Sequence, residues 1–259
     1  MSLVIGIKCD DGGLVIASDT AMSLRSGDGA DYVSLKANKI FCEGNYILAV
    51  AGAVWINQKI RKLSQEIFSK DANFTEESFK SFLEEIGRVI KDDVELRLNG
   101  GLESGEEIKN SIVINALVAY KDRETGENRI WITDNSLKGR YVEEKFVVFS
   151  DKDFAYMPLK EFEDYKIGIG EGKLLSFKAV KDTIRLSPVF IAEPIDIVTM
   201  DKEGNIMKLD GEEIGKIEKA YLKMREESYN ALLRVSNSAK TNLREEDTKG
   251  VSKKDKSGI

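Results

Sequence analysis

The chain opens with two short apolar runs joined by a glycine-containing turn, and this arrangement restricts its fold more than any other feature. The runs Leu3–Cys9 and Leu14–Ser18 are rich in β-branched side chains, and Asp10-Asp11-Gly12-Gly13 separates them. β-branched residues favour strands, and glycine next to aspartate favours a reversal of the chain. The sequence therefore predicts an antiparallel β-hairpin at the start of the chain.

Strand-like and helical patterns alternate along the rest of the chain. A second strand pair, Lys39–Cys42 and Tyr46–Ala51, flanks the turn Glu43-Gly44-Asn45. Apolar residues at helical spacing predict four helices, over residues 53–69, 75–98, 174–186 and 212–235. Apolar and β-branched runs predict further strands, over residues 112–120, 129–133, 145–149, 165–168, 195–200 and 205–208.

This order of elements predicts an α+β domain in which two sheets lie between helical layers. We expect that domain to span residues 1–236, with the last helix at its C-terminal end. Residues 237–259 are polar and almost without apolar side chains, so they are predicted to form a disordered tail.

Composition removes several classes of function. The net charge is −6 and no basic block precedes the C-terminal tail, which argues against a nucleic-acid partner. No apolar run is long enough to cross a membrane. Cys9 and Cys42 show neither metal-ligand spacing nor a disulfide framework, so we expect free thiols in a reducing cytoplasm. Histidine is absent, which excludes Ser-His-Asp and Cys-His catalysis, and we expect no metal and no cofactor.

Ser2 is the residue with the most direct sign of chemistry. It follows Met1, and a small second residue allows that methionine to be removed. The mature chain would then begin with a serine that combines a hydroxyl nucleophile with an α-amine of pKa about 7.7–8.0. In a chain without histidine, this amine is one of the few bases left for a hydrolase. The alternative is an ordinary Met-Ser start without a catalytic role.

Four segments taken together resemble the start of proteasome β-type subunits. They are Val4-Ile5-Gly6-Ile7-Lys8, Gly13–Asp19, Asn38-Lys39-Ile40-Phe41 and Tyr46–Gly52. The resemblance covers roughly residues 2–210 and identifies the chain as similar to a divergent N-terminal-nucleophile (Ntn) hydrolase. It implies the four-layer αββα sandwich of that family.

The resemblance also implies a set of catalytic residues. Ser2 takes the place of the family's N-terminal threonine, and Asp19 matches the acidic residue at the end of the second strand. Lys39 matches the lysine that contacts both, and the backbone amide of Gly52 matches the oxyanion-hole donor. Outside this context, Asp19 could cap a turn, Lys39 could be a solvated lysine of an edge strand, and Gly52 could simply end a strand.

The same matching implies a first specificity pocket lined by Met22, Ala37, Val50 and Val54. All four are apolar, so we expect a peptide or amide substrate with a small or medium hydrophobic side chain. The chain also departs from the family, since it lacks the serine of a Gly-Ser-Gly turn and an Asp-x-x-Ser pair before the late strand. The run Gly168–Gly172 has the wrong spacing for a dinucleotide loop and predicts a tight turn of a sheet.

Three functions remain open at this stage. The first is an N-terminal-serine amidohydrolase or peptidase of the proteasome type, acting through an acyl-enzyme on Ser2. The second is a catalytically inactive assembly subunit, and the third is an acyl transferase or ligase with the same nucleophile. The resemblance implies a homo-oligomeric ring. Trp55 and Phe68 add more apolar side chains to the helix over residues 53–69 than packing on one core face requires, and such a surplus often marks an interface. The resemblance leaves open whether a regulatory ATPase acts with the protein.

Overall fold

The structure of the protein is a computed structural model of the 259-residue chain, in which two antiparallel sheets carry most of the strands. It describes residues 3–22, 35–52, 54–68, 75–100, 114–134, 137–149, 152–186 and 193–251. The chain divides into two compact units, Met1–Ile214 and Gly215–Ile259. Within the described ranges, no helix is both long and apolar enough to cross a membrane.

Twelve strands and five helices are defined in the described part of the chain. The strands are β1 Val4–Lys8, β2 Leu14–Asp19, β3 Ala21–Met22, β4 Leu35–Lys36, β5 Ile40–Glu43, β6 Tyr46–Gly52, β7 Ile114–Lys121, β8 Asn128–Thr133, β9 Arg140–Tyr141, β10 Phe146–Phe149, β11 Ile195–Met200 and β12 Ile206–Lys208. The helices are α1 Val54–Phe68, α2 Glu76–Asn99, α3 Lys152–Lys160, α4 Ile169–Leu186 and α5 Gly211–Val251.

The first sheet has the strand order β10-β1-β2-β11-β12, and every neighbouring pair is antiparallel. Strands β1 and β2 form the predicted N-terminal hairpin, in which Val4 pairs with Ser18. Gly12 in the turn has a φ of 84°, a conformation that glycine adopts without strain. The turn chemistry and the β-branched runs thus act together to place the end of β2 beside the start of β1.

The second sheet has the order β5-β6-β7-β8-β9 and is also antiparallel throughout. A separate two-stranded sheet pairs β3 with β4. Side chains from both large sheets form one buried cluster, which includes Val4, Leu14 and Ile16 of the first sheet and Ile47 and Leu117 of the second. Burial of each such side chain contributes about 1.5–3 kcal/mol relative to exposure, so this cluster holds the sheets together.

Helices pack on both sheets. A second buried cluster joins the second sheet to α1 and α2 through Tyr46, Phe68 and Phe82. The Phe68 ring lies 4.9 Å from each of the other two, edge-on to Tyr46 and tilted against Phe82. Helix α4 packs on β1, β2 and β11, and α3 packs on α4 and β10. These contacts confirm an α+β chain with two antiparallel sheets, and the four-layer αββα order stays a prediction.

Several sequence-based expectations need correction. The run Gly168–Gly172 does not form a turn of a sheet, because α4 begins at Ile169, and no strand covers residues 165–168. Helix α3 was not predicted, since it is short and contains Pro158. Phe68 is buried in its own chain's core, so it is not surplus apolar surface, and the side chain of Trp55 lies outside the described residues.

The C-terminal helix is longer than the sequence predicts. Its backbone is helical from Gly211 to Val251, so it passes through Asn237, where we expected a disordered tail to begin. The segment 237–251 lacks proline and is rich in Lys, Glu and Arg, which are good helix formers, and this composition accounts for the extension. Only residues 252–259 of the predicted tail lie outside the described part.

Candidate active site

The centre of the candidate site is a buried ion pair between Asp19 and Lys39. Asp19 is the last residue of β2, and Lys39 directly precedes β5. Lys39 Nζ lies 2.5 Å from Asp19 Oδ1, and the two side chains are 2% and 0% exposed. These observations exclude the simpler interpretations, since Lys39 is not a solvated lysine and Asp19 does not merely cap a surface turn.

The main chain around Lys39 is tied to the neighbouring strand. Its carbonyl oxygen accepts a hydrogen bond from Val50 N of β6 at 2.9 Å. Lys39 therefore belongs structurally to the second sheet, whereas Asp19 belongs to the first. Because the two sheets pack face to face, the side chain of Lys39 reaches the carboxylate across the interface between them.

Asp19 also binds the main chain next to Ser2. The amide of Leu3 donates a hydrogen bond of 2.8 Å to Asp19 Oδ1, the same oxygen that binds Lys39. Hydrogen bonds to an ionised carboxylate are about twice as strong as neutral ones. Asp19 thus fixes the position of Leu3, one residue after Ser2, and Ser2 itself lies outside the described residues.

The electrostatic environment changes the proton affinity of Lys39. Burial lowers the pKa of the Lys39 ammonium below its ordinary value of 10.5, and the charge and hydrogen bond of Asp19 act in the opposite direction. A lysine in this environment releases its proton more readily than a solvated one. Such perturbed groups in a buried, paired arrangement are typical of functional sites.

The other predicted site residues lie on the elements next to this pair. Gly52 is the last residue of β6 and pairs with Ile114, and α1 begins two residues later at Val54. Ala37 is half-buried, and its amide donates a 2.8 Å hydrogen bond to Thr20 O, immediately after Asp19.

The predicted pocket residues lie on different elements, and the structure describes the side chains of only some of them. Val50 is fully buried and packs in the cluster that joins the second sheet to α1 and α2. Met22 lies in β3, where it pairs with Leu35, and Val54 is the first residue of α1. The side chains of Met22 and Val54 lie outside the described part of the chain. Whether the four residues line one pocket stays a prediction.

Two buried hydroxyl groups beside Asp19 were missed by sequence reasoning. Thr20 is 1% exposed, and its Oγ1 donates a 2.9 Å hydrogen bond to Pro194 O. Ser18 is fully buried on the other side of Asp19 in the chain. A signal existed in the sequence, because Ser18 interrupts the apolar alternation of Leu14 and Ile16 on one face of β2.

The remaining titratable groups do not extend the site. Cys9 and Cys42 are both free, and burial, as the largest cause, raises the pKa of the Cys9 thiol to about 12. Such a thiol is mostly protonated at neutral pH and is a poor nucleophile. Among the described residues, no group of three or more Asp, Glu, Cys or His side chains could hold a metal ion.

Comparison with solved structures shows that the fold of this chain is similar to that of several Anbu proteins. Anbu from Pseudomonas aeruginosa, described as a helical assembly of the Anbu complex, has a TM-score of 0.68 at 14% identity, over 90% of this chain and 96% of that one. Anbu from Yersinia bercovieri, described as an ancestral β-subunit, has a TM-score of 0.64 at 12% identity, over 90% and 95%. A Gly-1 mutant of Anbu from Hyphomicrobium sp. strain MC1 has a TM-score of 0.62 at 14% identity, over 89% and 97%.

The likeness to a protein described as an ancestral β-subunit supports the proteasome-like fold that the sequence predicts. The neighbours' identities of 12–14% establish likeness of fold and leave the chemistry of this chain to its own residues. No protein-family model matches the sequence, and no curated protein does.

Proposed function

We propose that this protein is an N-terminal-serine hydrolase of the proteasome type, which cleaves peptide or amide bonds through an acyl-enzyme on Ser2. One observation carries the proposal. A buried carboxylate, Asp19, binds both the Lys39 ammonium and the amide of the residue that follows Ser2. Desolvation of two charges is costly, so a buried pair at this position favours a functional role over a purely stabilising one.

In the proposed reaction, Ser2 acts after removal of Met1. Its Oγ attacks the substrate carbonyl carbon while its proton passes to the free α-amine of the same residue. The Lys39 ammonium, oriented by Asp19, lowers the proton affinity of the hydroxyl. The scissile C–N bond then breaks, and the leaving amine takes the proton back from the α-ammonium. Water attacks the resulting ester in the same way, releases the carboxylate product and restores the Ser2 hydroxyl.

The backbone amide of Gly52 is the proposed donor to the oxyanion. Glycine permits close approach of a substrate carbonyl to the main chain, because it carries no Cβ. One such donor is typically worth about 3–4 kcal/mol of transition-state stabilisation. The apolar residues Met22, Ala37, Val50 and Val54 would select a small or medium hydrophobic side chain.

We also propose that the protein works as a homo-oligomer. The Pseudomonas aeruginosa neighbour is described as a helical assembly, which supports self-association of this fold. A closed ring and an open helix are both compatible with a repeated head-to-tail contact, and they differ in whether the rotation closes.

The experiment that tests the function is intact-mass analysis before and after exposure to a β-lactone, an electrophile for N-terminal nucleophiles. We expect the native protein to lack Met1 and to gain the mass of one probe, which peptide mapping places on Ser2. The Ser2→Ala variant should gain none. Retention of Met1 in material from the natural source would remove the α-amine base and contradict the proposal.

Probe labelling, combined with assays of acyl transfer to amines and of amide hydrolysis, separates the hydrolase from the two alternatives. An unlabelled protein with a native fold would favour the inactive assembly subunit. A labelled protein whose acyl group passes to added amines in preference to water would favour the transferase. Hydrolytic turnover of an amide substrate, lost in Ser2→Ala, would support the hydrolase.

A further inference from the structure

Two buried polar atoms on paired residues of β2 and β11 lack hydrogen-bond partners. They are Ser18 Oγ and Asp196 Oδ2, and neither has such a partner among the described residues. Ser18 is 0% exposed, and Asp196 is the residue paired with it in the antiparallel register. Lys208 Nζ lies 3.1 Å from Asp196 Oδ2, but this ionic contact does not have the geometry of a hydrogen bond. A donor without an acceptor is therefore paired with an acceptor without a donor.

The register allows these two groups to bind each other. Directly opposite residues of an antiparallel pair have Cβ atoms about 4.5–5.5 Å apart, on the same face of the sheet. A serine hydroxyl and an aspartate carboxylate span that separation with a hydrogen bond of ordinary length once a side-chain rotation turns one toward the other. The rotation is favoured, because a buried hydroxyl or carboxylate oxygen that stays unpaired is costly.

A second contact between the same two segments lies two residues farther along the chain. Thr20 is 1% exposed, and its Oγ1 donates a 2.9 Å hydrogen bond to Pro194 O. Asp19 lies between Ser18 and Thr20 and pairs with Ile195. Side chains on both sides of Asp19 in the sequence can thus fasten the end of β2 to the start of β11.

We propose that Ser18 is a positioning residue of the candidate site, and that its hydroxyl donates a hydrogen bond to Asp196 Oδ2. Together with the bond from Thr20 to Pro194, this bond fixes the main chain of Asp19 from both sides.

The position of Asp19 matters because its carboxylate holds two groups at once. Its Oδ1 accepts hydrogen bonds from Lys39 Nζ and from the amide of Leu3. Movement of the end of β2 away from β11 would loosen both bonds. The catalytic part of this inference rests on the proposed function, in which Lys39, oriented by Asp19, activates Ser2.

A double-mutant cycle tests the contact without an assay of activity. Thermal unfolding is measured for the parent, Ser18→Ala, Asp196→Ala and the double variant. Ser18→Ala should lower the melting temperature of the parent by about 2–4 °C, the usual shift for one lost hydrogen bond in a chain of this size. In the Asp196→Ala background the same change should not lower it, because the hydroxyl has no acceptor there. Equal losses in the two backgrounds would overturn the contact.

The effect on Asp19 is measured through the pKa of Lys39, which the charge and hydrogen bond of Asp19 raise. NMR titration of the chain with ¹³C-labelled lysine gives this pKa, and the Lys39 signal is the one missing in Lys39→Met. The pKa should be lower in Ser18→Ala than in the parent, because the carboxylate is held less firmly. Ser18→Thr keeps the hydroxyl and should restore the parent's value.

The matched control is Ser176→Ala, since Ser176 is equally buried but its hydroxyl donates to Lys173 O at 3.0 Å within α4. This variant should leave the pKa of Lys39 unchanged. An unchanged pKa in Ser18→Ala as well would overturn the positioning role.

The consequence for catalysis is measured by β-lactone labelling at Ser2. Ser18→Ala should lower the maximal labelling rate about tenfold, because small displacements of an activating group cost that much or more. The probe concentration at half-maximal rate should not change. A Ser18→Ala variant that labels as fast as the parent would overturn the catalytic part of the inference. A parent that takes up no probe contradicts the proposed function, while the melting cycle and the Lys39 titration still decide the role of Ser18.

Discussion

At the scale of single residues, the burial of the two opposite charges of Asp19 and Lys39 has the largest effect on stability. Asp19 and Lys39 have almost no access to water, so each depends on the other for compensation of its charge. Desolvation of such a pair can exceed the Coulombic attraction between its members. The pair is therefore a weak source of stability as a unit, whereas the loss of one member leaves an uncompensated buried charge.

This asymmetry can be measured with two single variants and their combination. Lys39→Met and Asp19→Asn should each lower the free energy of unfolding by about 3–5 kcal/mol, because each removes the opposite charge beside a buried one. The double variant should lose much less than the sum, since it contains neither charge. Denaturant unfolding measures all three, and strictly additive losses would show that the two charges do not compensate each other.

The lowered pKa of Lys39 makes a separate prediction about pH. Below its folded-state pKa, Lys39 carries a charge that burial penalises, and above 10.5 it is neutral in both the folded and unfolded states. Between these limits the unfolded chain binds more protons, so stability rises with pH. The unfolding free energy of the parent relative to Lys39→Met should therefore increase as the pH rises from the lowered folded-state pKa toward 10.5. A flat or falling difference would contradict the direction of the pKa change.

The part of the site that could be predicted depended on how far apart in the sequence the contacting residues lie. Asp19 and Lys39 were predicted from the resemblance of the N-terminal segments to proteasome β-type subunits. Their mutual distance depends on the packing of two sheets, which no local pattern encodes. Ser18 shows the limit of prediction most clearly. The sequence predicted only that it ends an apolar strand, and its buried hydroxyl was not identified.

At the scale of elements, three carboxylates hold the start of α4. The amides of Ile167, Gly168 and Ile169 donate to Asp10 Oδ2, Glu171 Oε2 and Asp11 Oδ2 at 2.7, 3.1 and 2.9 Å. Negative charge is favourable at a helix N-terminus. The glycine-rich run is thus a helix start at which the amides of Gly168 and Ile169 are bound by the chain's own carboxylates.

Removal of one of these carboxylates should weaken the first sheet's attachment to α4. Asp11 also accepts a hydrogen bond from Gly13 N at 3.1 Å, so Asp11→Ala loses two contacts. We expect a loss of about 1 kcal/mol, the usual cost of a missing helix cap. The control is Glu163→Ala, an exposed carboxylate in the turn before α4. Thermal unfolding compares them, and equal melting temperatures would assign no capping role to Asp11.

Replacement by alanine should have opposite effects on stability at two glycines, Gly6 and Gly170. A Cβ at Gly6 would lie 2.6 Å from Val147 Cγ1 and 3.0 Å from Leu117 Cδ1, whereas a Cβ at Gly170 meets no described atom within 4 Å. Gly6→Ala should cost about 1–3 kcal/mol through overpacking. Gly170→Ala should stabilise α4 by up to about 1 kcal/mol. Denaturant unfolding decides, and a neutral Gly6→Ala would show that the side chains of Val147 and Leu117 can shift without loss.

Elements with strong periodicity were predicted well, and elements defined by distant contacts were not. The N-terminal hairpin, α1 and α2 follow from β-branched runs and helical spacing. The segment 165–168 was predicted as a strand because it is short and partly apolar. The carboxylates of Asp10 and Asp11, which are distant in the sequence, instead accept hydrogen bonds from the amides of Ile167 and Ile169, where the helix begins.

At the scale of the whole molecule, the exposed apolar side chains of α5 distinguish the second unit. The larger ones beyond Ile214 are Leu222, Tyr229, Leu232, Leu233 and Val235, each at least 43% exposed. Exposed apolar groups gathered on one element often mark an interface. They are consistent with the homo-oligomer proposed above.

Light scattering at micromolar concentration tests this expectation. We expect a mass that is a multiple of 29.0 kDa, and removal of residues 215–259 should reduce it if α5 carries a contact. A uniform species at 29.0 kDa would contradict the homo-oligomer and favour a monomeric amidase or transferase.

The position of Lys39 has a consequence for when the protein can act. Asp19 and Leu3 come from one hairpin near the start of the chain, whereas Lys39 is bound to β6 of the other sheet. The pair exists only after the two sheets have packed. Under the proposed function, a newly made or partly unfolded chain would carry Ser2 without the lysine that is proposed to activate it, and hydrolysis would begin only when the fold is complete.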